Sequence, residues 1–350
     1  MMKNDFITTN IVNSKTPYII AEIGINHNGD LELAKKMIKA AKKSGAHCVK
    51  FQKFIADNYI SKFAQKAGYQ KNDKKVSKKS QLEIIKSCEL DINQLKILKT
   101  FSEKLKIDFL CTPFEIDSLK ELIKIKISAI KISSCNLNNI PFLIEAAKSK
   151  LPILMSTGMG SIQEVKDAVK IFKRFKNPLL IFQCTSNYPS NIKNANISVL
   201  TSYKKLFKCP VGYSDHTSSV VPAIVSISKG AVAIEKHFTL SRSLPGIDQK
   251  ASIEPIELKE LVEVTKQAKD SIGSSIKKRT DEEDDTLKSL RRSLVAAKDL
   301  KKGTRINKLM VNIKRPGTGL STIYLKKIVG LKLKKNIRKD ELFKLKNFYN

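Results

Sequence analysis

The 350-residue sequence contains six cysteines, but no two of them form a C-x-x-C pair. This absence removes the spacing on which many structural zinc sites and dithiol redox motifs depend. Several cysteines, including Cys48 and Cys111, fall inside apolar strand-like runs, where a free thiol behaves as a small hydrophobic side chain. We therefore expect reduced thiols and a cytoplasmic location.

Long apolar runs are also missing. None reaches the roughly eighteen residues that a membrane-spanning helix requires. Residues 1–17 are polar and lack the apolar region of a secretory signal peptide. We therefore expect a protein with no membrane partner.

Arginine is scarce in this strongly basic chain. Lysine and arginine together number 65 against 33 acidic residues, a formal net charge of +32, yet only eight of the 65 are arginine. Arginine is preferred for bidentate contacts with phosphates and bases, and the lysines are spread over nearly every predicted helix. The pattern favours solvated helix faces and attraction of anionic substrates, with no nucleic-acid partner. Salt-dependent binding to random DNA would support the alternative of a nucleic-acid-binding protein.

A strand–helix unit repeats through most of the sequence. Short buried-strand patterns, each followed by a segment of helical length and periodicity, lie at 18–24, 47–52, 107–113, 129–134, 152–158 and 179–185, and two more begin at Pro210 and Ala231. Eight such units predict an α/β fold, a (β/α)8 or TIM barrel.

Polar or titratable side chains stand at the carboxyl end of every predicted strand, where an apolar strand has no packing reason to carry them. Because these ends face one mouth of a barrel, we expect the side chains to surround a single pocket. They are Glu22, Lys50, Gln52, Thr112, Lys131, Ser134, Ser156, Thr157, Gln183, Thr185, Ser186, Ser214, His216, Glu235 and His237.

The residue types in this pocket point to a phosphate or carboxylate and a cation. Lys50 and Lys131, surrounded by hydroxyl groups, suit the anion. His216 and His237, at the ends of neighbouring strands, suit one ion of the Mn²⁺ or Mg²⁺ class, with other coordination positions left to water or a substrate oxygen. A pair of hydrogen-bonded structural histidines is the alternative.

A phosphorylated acid next to a metal-polarised carbonyl group indicates carbon–carbon bond formation. Glu22 and Asp215 are candidates for moving protons or orienting ligands, and Asp215 could instead support a neighbouring histidine. On the barrel architecture alone, a different metal-dependent aldolase remains an alternative.

Three segments depart from the barrel repeat. Residues 56–79 are long, polar and lysine-rich, and we interpret them as a flexible lid or excursion over the site. The barrel domain is expected to cover 1–273, followed by a linker at 274–290, where the composition changes abruptly. Residues 291–350 show short strand patterns and glycine turns, which predict a small mixed α/β domain too small to be stable alone.

Eleven segments in this order resemble the sialic acid synthase family over nearly the whole chain. They are IAEIGINHNG (20–29), VKFQ (49–52), CTPF (111–114), KISS (131–134), STGM (156–159), QCT (183–185), GYSDH (212–216), EKHFT (235–239), PGID (245–248), RRSLVA (291–296) and RPGTG (315–319). The resemblance implies a TIM barrel followed by an antifreeze-like (SAF) domain in a domain-swapped homodimer. It also implies condensation of phosphoenolpyruvate with an N-acylated hexosamine, to give a nonulosonic acid and phosphate.

The resemblance further implies a role for individual residues. His216 and His237 correspond to the metal ligands, and Arg315 to an arginine that reaches the sugar of the partner subunit. Glu22, Gln52 and Asp248 correspond to residues that handle the sugar or a proton. The phosphoenolpyruvate-binding set is Lys50, Thr112, Lys131, Ser134, Ser156, Ser186, Tyr188 and Ser214.

Three positions depart from the family pattern. Ser186 stands where some members have Asn, Gln249 where His is common, and Asn136 where the neuraminate-type members have an acid. Because Asn can donate to an acyl carbonyl, we expect Asn136 to contact the sugar and to influence its choice. N-acetylmannosamine is the default substrate, and a 2,4-diacetamido trideoxy hexose, used for legionaminic- or pseudaminic-type acids, is the alternative.

Overall fold

The chain divides into two compact units, Met1–Gly273 and Ser274–Asn350. The computed structural model describes residues 5–66 and 80–349. No helix among these described residues is both long and apolar enough to span a membrane.

The first unit is a closed barrel of eight parallel strands in sequence order. This confirms the predicted fold class. Nearly every strand residue is buried, as expected for strands covered on both faces. The strands are β1 (Tyr18–Gly24), β2 (Cys48–Lys53), β3 (Asp108–Pro113), β4 (Ile130–Ile132), β5 (Ile153–Ser156), β6 (Leu179–Cys184), β7 (Val211–Asp215) and β8 (Ala231–His237).

Helices connect successive strands and pack around the barrel. Their starts carry the expected caps: Asp30 accepts from the backbone N–H groups of Glu32 and Leu33, and Ser161 forms a capping box with Glu164. The helices of this unit are Ile7–Val12, Leu31–Lys43, Ala56–Tyr59, Gln81–Lys86, Ile92–Lys104, Ile116–Lys124, Ile140–Lys148, Ile162–Phe175, Val199–Phe207, Val221–Ser228 and Pro255–Ile272, with short 3-10 turns at Ser134–Asn136, Ile192–Asn194 and Gln249–Ala251.

The amino-terminal helix Ile7–Val12 covers one end of the barrel. Ile7 and Ile11 are buried in an apolar cluster with Tyr18 and with inward-facing side chains such as Leu110 and Leu154 from the amino-terminal halves of the strands. The larger apolar cluster lies between the strands and the surrounding helices. The barrel end opposite the carboxyl-terminal mouth is therefore filled by side chains.

Shortening Ile11 is expected to destabilise the barrel without affecting its chemistry. Ile11 is 1% exposed, so Ile11→Ala should lower the free energy of unfolding by about 2 to 5 kcal/mol. Val12, on the same helix, is 37% exposed, and Val12→Ala should have little effect. Urea unfolding of both variants would measure the difference. An Ile11→Ala protein with an unchanged unfolding midpoint would contradict the role of this helix.

The predicted excursion at 56–79 is only partly within the described residues, because 67–79 lie outside them. Its beginning forms the short helix Ala56–Tyr59, and the following described segment forms the helix Gln81–Lys86. Both pack in a small apolar cluster with Ile25 and Phe54, next to the carboxyl ends of β1 and β2.

The second unit has its own apolar core and a two-stranded antiparallel sheet, Ser293–Ala296 with Val311–Lys314. Further helical segments are Leu325–Ile328 and the 3-10 turns Lys308–Met310, Thr322–Tyr324 and Leu345–Asn347. The predicted linker at 274–290 contains a helix, Glu283–Leu290. Its first turn carries Glu283, Asp284 and Asp285, which stabilise the positive end of the helix dipole.

Candidate functional site

A cavity of about 370 Å³ opens at the carboxyl-terminal mouth of the barrel. Fifteen residues were predicted to bind the metal, phosphoenolpyruvate or the sugar or to move a proton, and thirteen of them line this cavity. The carboxyl ends of the barrel strands predict this clustering. The thirteen residues are Glu22, Lys50, Gln52, Thr112, Lys131, Ser134, Ser156, Ser186, Tyr188, Ser214, His216, His237 and Asp248.

Three other polar residues expected at this pocket do not line it. The side chains of Thr157, Gln183 and Thr185 donate to backbone carbonyl groups of neighbouring segments instead. They fix the loops that surround the mouth, so the expectation that they face the pocket was wrong. A position at a strand end does not by itself show whether a polar side chain lines the pocket or bonds to a neighbouring loop.

One side of the cavity is built around a buried ion pair between β1 and β2. Lys50 Nζ lies 2.7 Å from Glu22 Oε2 and donates to Thr112 Oγ1 at 3.0 Å. Gln52 Nε2 donates to Glu22 Oε1 at 2.9 Å. Because Glu22 and Lys50 are register partners in adjacent strands, the sheet itself sets this pair.

Glu235 joins the two lysines of the site. Lys131 Nζ donates to Glu235 Oε1 at 3.0 Å and to Ser156 Oγ at 2.8 Å. Lys50 Nζ lies 3.7 Å from the same carboxylate oxygen, which also accepts from Ser214 Oγ at 3.3 Å. Two ammonium groups therefore converge on one buried carboxylate.

Burial and these neighbours shift the carboxyl and ammonium pKa values. Burial would raise the pKa of Glu235, but Lys131 and Lys50 outweigh it and hold that pKa at about 2. Burial raises the pKa of Glu22 and lowers that of Lys131. Glu235 is thus a fixed anion, while Glu22 and Lys131 are closer to exchanging protons.

A second part of the cavity is a cradle of small groups at the ends of β5 and β6. The backbone N–H of Gly158 lies 2.9 Å from Ser134 Oγ and 3.1 Å from Cys184 Sγ. A Cβ atom at Gly158 would collide with Ser186 Oγ and would lie 3.0 Å from Ser134 Oγ. Glycine is needed at this position because the side chains of Ser134, Cys184 and Ser186 pack directly against it and leave no space for a Cβ atom.

The two histidines face each other across the mouth, with ring centroids 5.5 Å apart. His216 Nδ1 lies 2.7 Å from the carbonyl oxygen of Thr185, which can only accept, so Nδ1 carries the proton and Nε2 keeps its lone pair, with Ser214 Oγ 3.5 Å away. Burial lowers the pKa of His216 to about 4 and the pKa of His237 well below its usual value. Both rings are neutral, the form that binds metal ions.

The donors at the mouth fit a divalent cation. His237 Nδ1 is buried without a hydrogen-bond partner among the described residues, and Asp248 Oδ2 lies 3.8 Å away. The ring of Tyr188 is 4.3 Å from that of His216 and closes the other side. Within residues 5–66 and 80–349 no group of three or more His, Cys, Asp or Glu has metal-binding geometry, so the protein offers this imidazole pair and leaves other positions to ligands.

Asp248 is held at the mouth by the loop after β8. Its backbone carbonyl accepts from Ser252 Oγ at 2.6 Å, and the neighbouring Gln249 donates to the backbone of Asn26 at 2.9 Å. Gln249 is fully buried, so the residue that departs from the family pattern serves to fix this loop. Burial, together with the charge of Glu22, raises the pKa of Asp248 to about 7.

Two predicted residues are not in this cavity. Asn136 is buried in the turn after β4, where its amide nitrogen donates to the carbonyl of Phe114 at 3.1 Å and its oxygen accepts from Asn139 at 3.0 Å. These bonds use one donor and one acceptor of the amide within the loop, and a contact of Asn136 with the sugar stays a prediction. Arg315 is exposed in the second unit, and its role stays a prediction.

The sequence placed Glu235 at the pocket, which the cavity lining confirms, but indicated no specific role for it and did not reveal an apolar wall. Glu235 lies two residues before His237 and so faces the same side of β8. The wall comes partly from the segments around the excursion, which carry no periodic signal. Its residues are Ile25, Phe54, Tyr59, Ile60, Ile85, Phe114 and Ile247.

Comparisons with known proteins agree with this site and fold. Residues 37–277 match the NeuB family, and residues 291–348 match the SAF domain. The chain is 40% identical to N,N'-diacetyllegionaminic acid synthase of Legionella pneumophila, over 93% of this chain and 92% of the relative. It is 32% identical to pseudaminic acid synthase of Campylobacter jejuni, over 97% and 98%.

A solved structure with a similar fold is the N-acetylneuraminic acid synthetase of Leptospira borgpetersenii in complex with citrate. It superposes with a TM-score of 0.69 at 34% identity, covering 78% of this chain and 90% of that one.

Proposed function

The chain belongs to the NeuB family, and on that basis we propose that it condenses phosphoenolpyruvate with an N-acylated hexosamine to give a nonulosonic acid and phosphate. The convergence of Lys50 and Lys131 with hydroxyl groups and two neutral imidazoles in one cavity supports this proposal most directly. An anionic, phosphorylated substrate and an aldehyde need these two kinds of group side by side.

Phosphoenolpyruvate is proposed to bind deep in the cavity. The two ammonium groups provide its positive charge, and the hydroxyl groups of Ser134 and Ser186, which pack against Gly158 and line the cavity, can donate to its phosphate. The remaining donors are hydroxyl groups at strand ends. The proposed set is Lys50, Thr112, Lys131, Ser134, Ser156, Ser186, Tyr188 and Ser214.

A cation of the Mn²⁺ or Mg²⁺ class is proposed to be held by His216 and His237. When bound there it supplies Lewis-acid polarisation of the aldehyde of the open-chain sugar. The neutral rings support this assignment, as does the Nδ1 of His237, for which the described part of the chain provides no hydrogen-bond partner.

The proton transfers are proposed to involve Asp248 and Glu22. The new bond joins the enol carbon of phosphoenolpyruvate to the aldehyde carbon, whose oxygen then takes a proton. Asp248, with a pKa of about 7, can hold that proton on its carboxyl group at neutral pH. Water then adds to the resulting cation and phosphate leaves, and Glu22, oriented by Gln52, is placed to accept a proton from that water.

The sugar is proposed to be a 2,4-diacetamido trideoxy hexose, with N-acetylmannosamine as the second candidate. The apolar wall supports this choice, because Phe54, Ile60 and Ile247 suit the methyl groups of a deoxygenated, diacylated sugar. The names of the legionaminic acid synthases among the relatives point the same way.

Measuring phosphate release in the presence of Mn²⁺ tests both the proposed reaction and the proposed choice of sugar. It should require phosphoenolpyruvate and a sugar together, and kcat/KM should favour the diacetamido sugar. Ile60→Thr should reduce that preference by on the order of tenfold. Ile97→Thr, on an exposed helix position, is the matched control. Release without any hexosamine would contradict the reaction, and an unchanged preference in Ile60→Thr would contradict the role of the wall.

A homodimer in which Arg315 serves the partner's barrel is also proposed, on the family resemblance. Arg315 is exposed and belongs to the second unit, not to the unit that forms the barrel. Mixing Arg315→Ala with Glu22→Ala protein should then restore part of the activity, because a mixed dimer contains one intact site. No recovery after verified subunit exchange would count against it.

Gly158→Ala is expected to weaken phosphoenolpyruvate binding. The added methyl group would collide with Ser186 Oγ and lie 3.0 Å from Ser134 Oγ, so two of the proposed phosphate donors would be displaced. The KM for phosphoenolpyruvate should therefore rise at least about tenfold, as expected for a loss of roughly 1.4 kcal/mol. The KM for the sugar should change much less. Steady-state kinetics with each substrate varied in turn measures both, and equal rises in the two values would contradict a phosphate cradle at this glycine.

A further inference from the structure

A buried ion pair lies behind the two histidines and has no part in the mechanism above. Lys236 Nζ donates to Asp215 Oδ2 at 2.7 Å and to the carbonyl oxygens of Thr217 and Ser219 at 2.7 and 3.3 Å. These acceptors match the three protons of the ammonium group. Asp215 Oδ1 accepts from the backbone N–H of Thr217 at 2.9 Å and from the hydroxyl of Tyr213 at 3.3 Å. The two side chains are at most 1% exposed.

The pair is placed by the strand register. Asp215 and Lys236 are partners in the ladder of β7 and β8, and each immediately precedes one of the histidines. Because side chains alternate between the two faces of a strand, the histidines line the cavity while Asp215 and Lys236 do not. The ion pair therefore joins the two strand ends on the face opposite the imidazoles.

The same pair also fixes the chain that leaves His216. Lys236 binds two carbonyl groups of residues 217–219, directly after that histidine. On the other side, Thr185 O accepts from the His216 ring and Ser190 N donates to the His216 carbonyl. His216 is thus held between the β6 loop and the ion pair.

We propose that Asp215 and Lys236 are positioning residues that set the spacing of the two imidazoles and thereby the affinity for a divalent cation. The proposal rests on the metal role given to His216 and His237 above. A buried ion pair is often no more stabilising than an apolar pair of similar size, so packing of the barrel alone does not require these charges. Their hydrogen bonds to β7 and to the loop after it instead hold the two strand ends, and with them the two histidines, in fixed positions.

The test is a calorimetric titration of chelator-treated, full-length protein with Mn²⁺. Asp215→Asn/Lys236→Met removes both charges without leaving one unpaired, and its dissociation constant for Mn²⁺ should rise on the order of 10- to 100-fold. Asp215→Asn alone keeps the shape of the side chain and should give a smaller rise in the same direction. It also provides a second variant if the double variant does not fold.

The matched control is another ion pair of the same barrel, with a buried lysine and a partly exposed glutamate. Lys53 Nζ lies 3.2 Å from Glu121 Oε2, and neither residue lines the cavity. Lys53→Met/Glu121→Gln should leave Mn²⁺ affinity at the wild-type value even if its melting temperature falls as far as that of the test variant. A merely structural role for Asp215 and Lys236 would make the two double variants behave alike.

The outcomes separate this proposal from the metal role itself. If His216→Ala abolishes Mn²⁺ binding but the folded Asp215 and Lys236 variants bind it as tightly as the wild type, the positioning role is wrong and the metal site stands. If His216→Ala binds Mn²⁺ as the wild type does, the proposed metal site is wrong, and the positioning role fails with it.

Discussion

Lys131→Met should reduce kcat by on the order of a thousandfold. The ammonium group lies 3.0 Å from Glu235 and 2.8 Å from Ser156 in a fully buried part of the cavity, where a charged donor is worth far more than in water. Methionine keeps the length and apolar stem of lysine but supplies no donor. The proposed phosphoenolpyruvate site would therefore lose one of its two positive charges, and Glu235 would keep Lys50, at 3.7 Å, and the hydroxyl of Ser214, at 3.3 Å.

Rapid-quench measurement of phosphate release under saturating substrates gives the effect on the chemical step. Lys205→Met, at an exposed position of the helix Val199–Phe207, removes the same charge from the surface and should leave kcat unchanged. Circular dichroism of both variants checks the fold, because removing one partner of a buried pair also lowers stability. A folded Lys131→Met enzyme within tenfold of wild-type kcat would exclude a charge-stabilising role for this lysine.

His216→Ala should also abolish most of the activity, again by about a thousandfold or more. A metal bound at this pair contributes several kcal/mol of charge stabilisation, and each 1.36 kcal/mol corresponds to a factor of ten in rate. One imidazole from His237 would then have to hold the ion alone. The folded structure should persist, because the ring lies at the cavity and not in the apolar core.

Treatment of the wild-type enzyme with a chelator should have the same effect as this substitution, and added Mn²⁺ should reverse the former but not the latter. His47→Gln is the matched control, since that ring bonds to Thr16 and to the backbone of Ile19 at the opposite end of the barrel. It should respond to chelator and Mn²⁺ as the wild type does. Full turnover after verified metal removal would show that the histidine pair has another role.

The barrel could be predicted from the sequence because its signals are local. Strand β1 has the predicted bounds, and the other strands agree within a few residues. The predicted strand at 129–134 ends early, at Ile132, because Ser134–Asn136 turns into a 3-10 helix that carries Ser134 to the cavity. Hydrophobic patterning locates a strand but not the residue at which hydrogen bonding to its neighbour stops.

The remaining differences depend on contacts between distant segments. Glu235 gains its importance from Lys50 and Lys131, which belong to other strands. The bonding of Asn136 to Phe114 and Asn139 likewise follows from how two loops meet. Such pairings are fixed by tertiary packing, so a residue's type and position in a motif indicate that it is near the site but not what it touches.

The helix Ile7–Val12 has a consequence for the order of events in catalysis. Ile7 and Ile11 close one end of the barrel, so in the described part of this unit substrates and products share the opening at the carboxyl-terminal mouth. Lys50, Lys131, Ser156 and Ser214, proposed for phosphoenolpyruvate, lie on the strands, whereas the apolar wall proposed for the sugar comes from segments that follow the strand ends. A single entrance with a deep and a shallow compartment implies compulsory-order kinetics: the phosphorylated substrate enters first, and a hexosamine bound too early obstructs it, so that high sugar concentrations inhibit competitively against phosphoenolpyruvate.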